Sequence, residues 1–351
     1  MKAKLAGLGL LLLVIVLAVG YTLLGKSRET MELTGYVGGE KIGLLEDEEV
    51  QKLLQRKYHL EMDYSRAGSI EMVTEDHTGM DFLFPSSQTA LEIYEAQHGK
   101  PVKSEIVLNT PIVIYARAAV TDALLAEGIA QEEDGVCYVD MEKLAACIEE
   151  GTPWSEIGLP ELYGNVAVST TDPTKSNSGN MFAGLLANTL CGGTADESSL
   201  TEILPRLQSI FQNLGYMESS SSDLFDQFLK TGIGAKPMMA GYENQLLEFA
   251  VEDPGTWEQV KEDIRIMYPS PTVWSSHVFI ALDEAGTEGI DALMDEEVQK
   301  MAWDRHGFRT GIGGAASGTE QFGVEGVADE VTRVMNMPDA DTMERIIEAL
   351  E

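Results

Sequence analysis

From residue 32 onward the apolar positions of this chain switch repeatedly between two spacings. "ELTGYVGG" (32–39) alternates with a period of two and stops at Gly38-Gly39, which predicts a strand. "EKIGLLEDEEVQKLLQRKY" then sets Leu44, Leu45, Val50, Leu53 and Leu54 on one side of a helix. "LEMDYSRAG" predicts a second strand, and "SIEMVT" a helical turn. "MDFLFPSSQTALEIYEAQ" reads as a strand, a Pro-Ser-Ser turn and a helix. "SEIVLNTPIVIYARAAV" is a long β-branched run interrupted by Pro111.

The pattern continues in the middle of the chain. "VTDALLAEGIA" and "MEKLAACIEEG" are helical, and "YGNVAVSTTD" is a strand that runs into the polar stretch "STTDPTKSNSGN" (169–180). A helix "MFAGLLANTL" follows and ends at Cys191-Gly192-Gly193. "SLTEILPRLQSIFQNLG" is a helix kinked or broken at Pro205, and "ESSSSDLFDQFLKTG" is a Ser-capped helix. "KPMMAGYENQLLEFAV" is a strand and then a helix from about Glu243. "IRIMYPSPTVWSSHVFIAL" is a second extended run, interrupted by Pro269 and Pro271. Helices around 286–303 and 338–350 close the chain, with a glycine-rich loop between them.

Alternating strands and helices predict an α/β protein with a largely parallel sheet. Ligands of such sheets lie beyond the carboxyl ends of the strands, where helix N-termini converge. The two proline-interrupted runs, 105–116 and 264–281, bracket the middle segment. Crossovers that leave one lobe and return to it give this arrangement, and two unrelated strands are the plain alternative.

Length agrees with this division, since 351 residues suit about two domains. At 44% apolar content the chain can build sizeable cores. Residues 5–24 form an uncharged, largely apolar run behind Lys2 and Lys4, long enough to cross a hydrocarbon layer of roughly 30 Å. The two lysines keep its start in the cytoplasm, and the body then lies outside. An uncleaved signal anchor is the first expectation and a cleaved signal peptide the second, because Ala18 and Gly20 are only a weak exit. Either way the body is exported.

Charge narrows the partners. With 24 Lys and Arg against 58 Asp and Glu, the formal net charge is −34. Such a surface repels nucleic acid, and no basic stripe offsets it. An anionic solute is not excluded, because a cleft can be locally neutral. Cys137, Cys147 and Cys191 are too few for a disulfide framework. Three buried thiols are expected, with a Cys137–Cys147 bridge as the alternative.

No catalytic set can be assembled. The sequence has no nucleophile elbow and no Walker loop, and Lys175-Ser176 lacks the glycines that wrap phosphate. "GIGGAASG" (311–318) follows a helix and reads as a loop. His59, His77, His98, His277 and His306 show no metal-ligand spacing, and His277 reads as a satisfied interior or rim histidine. No metal, cofactor or enzymatic activity is expected.

Polar clusters do recur where strands give way to helices: Gly38 to Lys41, Ser65 to Ser69, Ser86 to Gln88, Thr170 to Asn180, and Gly241 to Asn244. Each alone is explained by capping, worth ~1 kcal/mol. Together, on one edge of two facing sheets, they would line a cleft rich in hydroxyls, amides and helix N-termini. Such a cleft suits a small polar solute, with anions favoured. Ser86, Ser87, Thr171, Ser176, Ser178 and Asn180 are the first candidates as hydrogen-bonding contacts. Glu40, Lys41, Tyr242 and Glu243 come next, with Gly39, Ser69 and Asp172 beside them. Glu243 could instead pair with an amine and reverse the solute's sign.

The runs "STTDPTKSNSGNMFAGLLAN", "GYENQLLEFA" and "YPSPTVWSSHVFIAL" resemble extracellular solute-binding proteins of the type 2 periplasmic-binding fold. That family includes the molybdate-, phosphate- and ferric-iron-binding groups serving ABC transporters. The resemblance covers most of residues 32–335. It implies that "DPTKSNSG" is a ligand loop and "YPSPT" the returning hinge. It further implies a tether of residues 1–31, a first lobe of 32–111 plus 270–351, a second lobe of 112–269, and an ABC permease as partner. Two features depart from the family. The apolar N-terminal run suggests a membrane-anchored receptor or sensor, and Tyr242 and Tyr268 do not form the adjacent pair of iron binders. A ligand sensor or envelope interaction protein on the same fold is the alternative function.

Overall fold

The computed structural model describes residues 30–310 and 318–351. The apolar run 5–24 and the glycine-rich residues 311–317 lie outside the described residues. Among the described residues, no helix is long and apolar enough to cross a membrane.

Nine strands make the main sheet: β1 (Met31–Val37), β2 (Leu60–Arg66), β3 (Phe82–Phe84), β4 (Lys103–Arg117), β5 (Ala130–Glu133), β6 (Val136–Val139), β7 (Met238–Tyr242), β8 (Ile264–Pro269) and β9 (Thr272–Ala281). Two short strands, β10 (Arg309–Thr310) and β11 (Val334–Met335), add to β4 and β9. The strand order is β2-β1-β3-β9-β4-β8-β6-β5, with β7 also on β4.

The sheet is mixed rather than largely parallel. β1 runs parallel to β2 and β3, and β6 to β8. The two long extended runs oppose these and each other. β9 is antiparallel to β3 and β4, and β4 is antiparallel to β7 and β8. Strand-helix alternation could not reveal this, because it fixes the neighbours of short strands and not those of the long ones.

Pro111 does not end β4. The strand pairs with β9 from Lys103 to Pro111, then takes β7 from Ile112 onward. Proline has no N–H to donate, and it stands where the strand exchanges one partner for another. Beyond it both faces of β4 are buried. Ile112, Ile114 and Ala116 join a core with Val139, Phe182 and Leu186. Val113 and Tyr115 join a second core with Phe228, Trp257 and Tyr268. The strands on the other side close over Leu33, Phe82, Phe84, Leu108 and Phe279. The sheet thus has two halves, joined by β4 and flanked by separate cores. Residues near the C-terminus, grouped above with the first lobe, pack on the second half: Met343 and Ile346 in one core, Phe322 and Val327 in the other.

Three local expectations differ. "YGNVAVSTTD" makes only isolated bridges, such as Ser169 to Met239, and no strand. Pro205 does not break its helix, which runs Leu200–Leu214. Losing one helical hydrogen bond costs about 3 kcal/mol, and burying Ile203, Leu207, Ile210 and Phe211 at roughly 1.5–3 kcal/mol each outweighs it. The hairpin β5–β6, for which no strand was expected, turns at Asp134-Gly135, both at positive φ. All three cysteines are free thiols, so the Cys137–Cys147 bridge is not formed, but only Cys137 is buried and Cys147 and Cys191 are half-buried. Burial pushes the Cys137 thiol up to about 11.

Candidate functional site

The carboxyl end of β1 turns at Gly38 into a short 3-10 turn, Gly39–Lys41. This turn delivers Lys41 into a pocket where it is fully buried. Its ammonium lies 2.7 Å from Glu40 Oε1, 2.7 Å from Ser86 Oγ and 3.2 Å from His277 Nδ1. An ammonium only donates, so His277 accepts at Nδ1 and is neutral. Burial, and then the Lys41 charge, hold the His277 imidazole well below its usual range. Burial also lowers the Lys41 ammonium, and Glu40 opposes that shift. Ser86 in turn donates to Glu40. A Cβ at Gly38 would sit 2.6 Å from Glu40 Oε1 and 2.8 Å from Lys41 Nζ, so any larger residue here displaces the ends of these side chains.

Helix Asn177–Cys191 faces this cluster from the second half of the sheet. Asn177 Nδ2 donates to the Ser86 carbonyl at 3.2 Å and to the Tyr242 hydroxyl at 3.0 Å. Ser275 Oγ also donates to the Ser86 carbonyl, at 2.6 Å. Tyr242 is fully buried. Burial, followed by the Glu40 charge, raises its phenol well above the ordinary value. Thr171 Oγ1 and Ser178 Oγ stand 2.7 Å apart, and Ser176 Oγ is 3.2 Å from Ser178 Oγ. Ser176 occupies the N-cap position, yet its side chain caps no backbone N–H. The hydroxyls of this stretch bond to one another rather than to the helix they precede. The Asn177 Oδ1 atom and both amide atoms of Asn180 are buried with no protein partner. Buried polar atoms are nearly always paired, so these mark where protein contacts stop short.

A cleft of about 220 Å³ opens beside this contact. Its walls are Gly38 to Glu40, Arg66 to Ser69 and Glu71 on one side, and Lys175 to Asn177 with Ser219 to Ser221 on the other. Arg66 Nη2 reaches across to Ser220 Oγ at 3.0 Å. Ser220 caps helix Ser221–Lys230, so two helix N-termini meet the cleft. Lys175 is paired with Asp172 at 3.0 Å.

Of the sequence candidates, Gly39, Glu40, Lys41, Ser69, Ser86, Thr171, Ser176, Ser178 and Tyr242 come together at or just behind this cleft. Ser69 Oγ accepts from the Ser86 backbone N–H at 2.9 Å. Asn180 is buried one helical turn further in. Asp172 is turned into its own loop, where it accepts from Thr174. Ser87 caps helix Gln88–His98 and faces a different cavity, of about 670 Å³. That cavity is lined by Glu92, Asp196 and Asp339 and by no basic residue. Glu243 is turned away altogether. It is fully buried, forked against Arg309 at 2.6 and 2.8 Å, and bonded by the Tyr268 hydroxyl. Arg66 and Asn177 lie within polar junctions named from the sequence but were not singled out, and Ser275 was missed. Arg66 ends a predicted strand, and no spacing rule separates it from a solvated surface arginine.

No protein-family model matches the chain, and no curated protein matches it in sequence. Solved structures do. The substrate-binding protein of an ABC transporter from Agrobacterium tumefaciens is similar over 93% of this chain and 96% of its own, at TM-score 0.60 and 13% identity. A sulfate-binding protein from Mycobacterium tuberculosis is similar over 92% and 99%, at TM-score 0.57 and 14% identity. A third structure, described as a two-component system protein that mediates signal transduction, is similar over 92% and 100%, at TM-score 0.58 and 12% identity. The chain therefore has the α/β fold of periplasmic solute-binding proteins.

Proposed function

We propose that this chain is an extracytoplasmic solute-binding protein that holds a small polar anion between its two lobes and presents it to an ABC-type transporter. The observation that carries this reading is the convergence of Arg66, Lys175, serine hydroxyls and two helix N-termini on one cleft. In a chain of net charge −34, that concentration of donors is selective. Helix N-termini favour negative charge by ~0.3–1 kcal/mol each at exposed positions, and charge-assisted hydrogen bonds contribute roughly 1.5–3 kcal/mol. At about 220 Å³ the cleft is smaller than the ~300–1,000 Å³ of drug-sized pockets, which favours a solute of few atoms. Structural neighbours that bind sulfate and ferric ion support a small inorganic solute.

In this proposal lobe 1 comprises β1–β3, the first part of β4 and β9, with β10 on that part of β4, and lobe 2 comprises the rest of β4 and β5–β8. On this division the hydrogen bond from Asn177 to the Ser86 carbonyl joins the two lobes beside the cleft. A solute favours closure only by its extra contacts to lobe 2. The N-terminal apolar run would anchor the body to the membrane or export it.

Thermal shift with sulfate, phosphate, molybdate and a set of amino acids tests the reading. A solute at 100 times its Kd stabilises by about 2.7 kcal/mol. Arg66→Ala is expected to weaken the anion at least about tenfold, the equivalent of one lost 1.4 kcal/mol contact. Arg66 is exposed, so the ligand-free unfolding free energy should stay within about 0.5 kcal/mol of the parent's. A panel in which no solute shifts the melting point would sink the proposal.

Glu40 and Glu71 share the cleft wall with the cations and favour a second reading, in which the solute also carries an ammonium group. Amino acids shifting the melting point while inorganic anions do not would select it. A third role, ligand sensing without transport, draws on the signal-transduction neighbour and uses the same cleft.

A further inference from the structure

Helix Glu243–Glu252 carries Glu248 and Glu252 one turn apart, a spacing that stacks their carboxylates on one face. His306, in the turn after helix Glu296–Asp304, meets that face with its side chain buried to 2% exposure. Its Nδ1 lies 2.6 Å from Glu248 Oε1, and its Nε2 lies 3.2 Å from Asp47 Oδ2. One ligand atom from each of Glu248, Glu252 and His306 falls within 4.8 Å of the others.

Asp47 sets the ring's tautomer. Its carboxylate accepts the Glu49 backbone N–H at 2.7 Å and pairs with Arg305 at 2.9 Å. Held there as an anion, it accepts the proton on Nε2. The 2.6 Å contact of Nδ1 with Glu248 is made by a second ring proton when no cation is bound, and a metal ion would replace that proton. A proton between Nδ1 and Glu248 leaves Glu252 beside a like charge. A divalent cation answers both carboxylates and the imidazole together. The two glutamates also face a cavity of about 500 Å³, which gives an ion an entry path and room for a water ligand.

We propose that Glu248, Glu252 and His306 Nδ1 form a binding site for a divalent first-row transition cation, with Asp47 orienting the imidazole through Nε2–H. An imidazole with two carboxylates suits Zn²⁺, whereas Ca²⁺ and Mg²⁺ take oxygen ligands. Carboxylate–imidazole–metal relays of this form are the usual support of metal-bound histidine. Glu252 is exposed and free to rotate the short distance to ligand contact. None of the three ligands lines the solute cleft, although the cavity the two glutamates face shares Gly39 and Glu40 with it. The site would pin the Asp47 turn of the first half to a helix of the second.

Calorimetric titration of the chelator-stripped full chain with Zn²⁺ tests this, with Co²⁺ absorption as a second readout. The expected result is one saturable site whose Co²⁺ form shows the intense visible bands of four-coordinate geometry. Glu252→Gln and His306→Gln should each weaken Zn²⁺ at least about tenfold. Glu252→Gln should leave the metal-free melting point unchanged, which keeps the test valid if His306→Gln folds poorly. Absence of a one-to-one site, or equal Zn²⁺ affinity in the parent and Glu252→Gln, would overturn the proposal and leave only diffuse binding to surface carboxylates.

Discussion

Glu243→Ala is expected to lower the unfolding free energy by about 3–5 kcal/mol, the range for breaking a buried ion pair from one side. Glu243 is fully buried, and the Arg309 side chain it engages is 12% exposed. Removing the carboxylate strands a guanidinium that has two of its N–H groups aimed at empty space, and it leaves the Tyr268 hydroxyl without its acceptor. Pairing the change with Arg309→Met should recover most of the loss, because replacing both charges with apolar groups is often near neutral. Urea unfolding of the two single variants and the double variant measures this. A loss below about 1 kcal/mol in Glu243→Ala would return Glu243 to the list of solute contacts, since exposed pairs are worth that little.

The second large effect is expected from Gly179→Ala. In an ordinary helix this change stabilises, by up to about 1 kcal/mol. Here the sign reverses. A Cβ on Gly179 would stand 2.2 Å from the Thr171 carbonyl oxygen and 2.9 Å from the Asp172 carbonyl carbon. Both are backbone atoms, which cannot swing aside as a side chain can. Overpacking costs typically 1–3 kcal/mol, and a backbone wall argues for the upper part of that range. The helix start must shift away from residues 171–172, and the Thr171–Ser178 contact at 2.7 Å goes with it. Solute binding should therefore fall together with stability. A stabilised Gly179→Ala protein would show that this helix does not seat as described.

Much of this was legible in the sequence, and the limits follow from what periodicity encodes. Alternation and helical spacing located most elements, because each buries one face against a core. The glycine and serine positions at strand ends marked the polar junctions, because tight turns and exposed helix N-termini need those residues. Burial of both faces of β4 left no alternation to indicate which strands flank it. Glu243 looked like a cleft residue because its place at a helix start is the same as that of Asn177. Only the position of Arg309, 66 residues further on, decides that it is consumed internally. The pairing of His306 with Asp47 and Glu248 was equally hidden, since contacts across 259 and 58 residues leave no local spacing.

The place of β9 in the sheet sets an order of assembly. It lies between β3 and β4, yet it enters the chain only at Thr272, after strands β5 to β8 of the second half have been made. A nascent or translocating chain that emerges N-terminus first can form β1, β2 and β3, but it holds an open edge until residue 281 arrives. Long-range pairing of this kind slows folding. If the body is exported as proposed, such delay would favour passage through a narrow channel, which admits a chain before its structure closes. It also makes early termination costly, because a product ending before β9 would present bare strand edges to its neighbours.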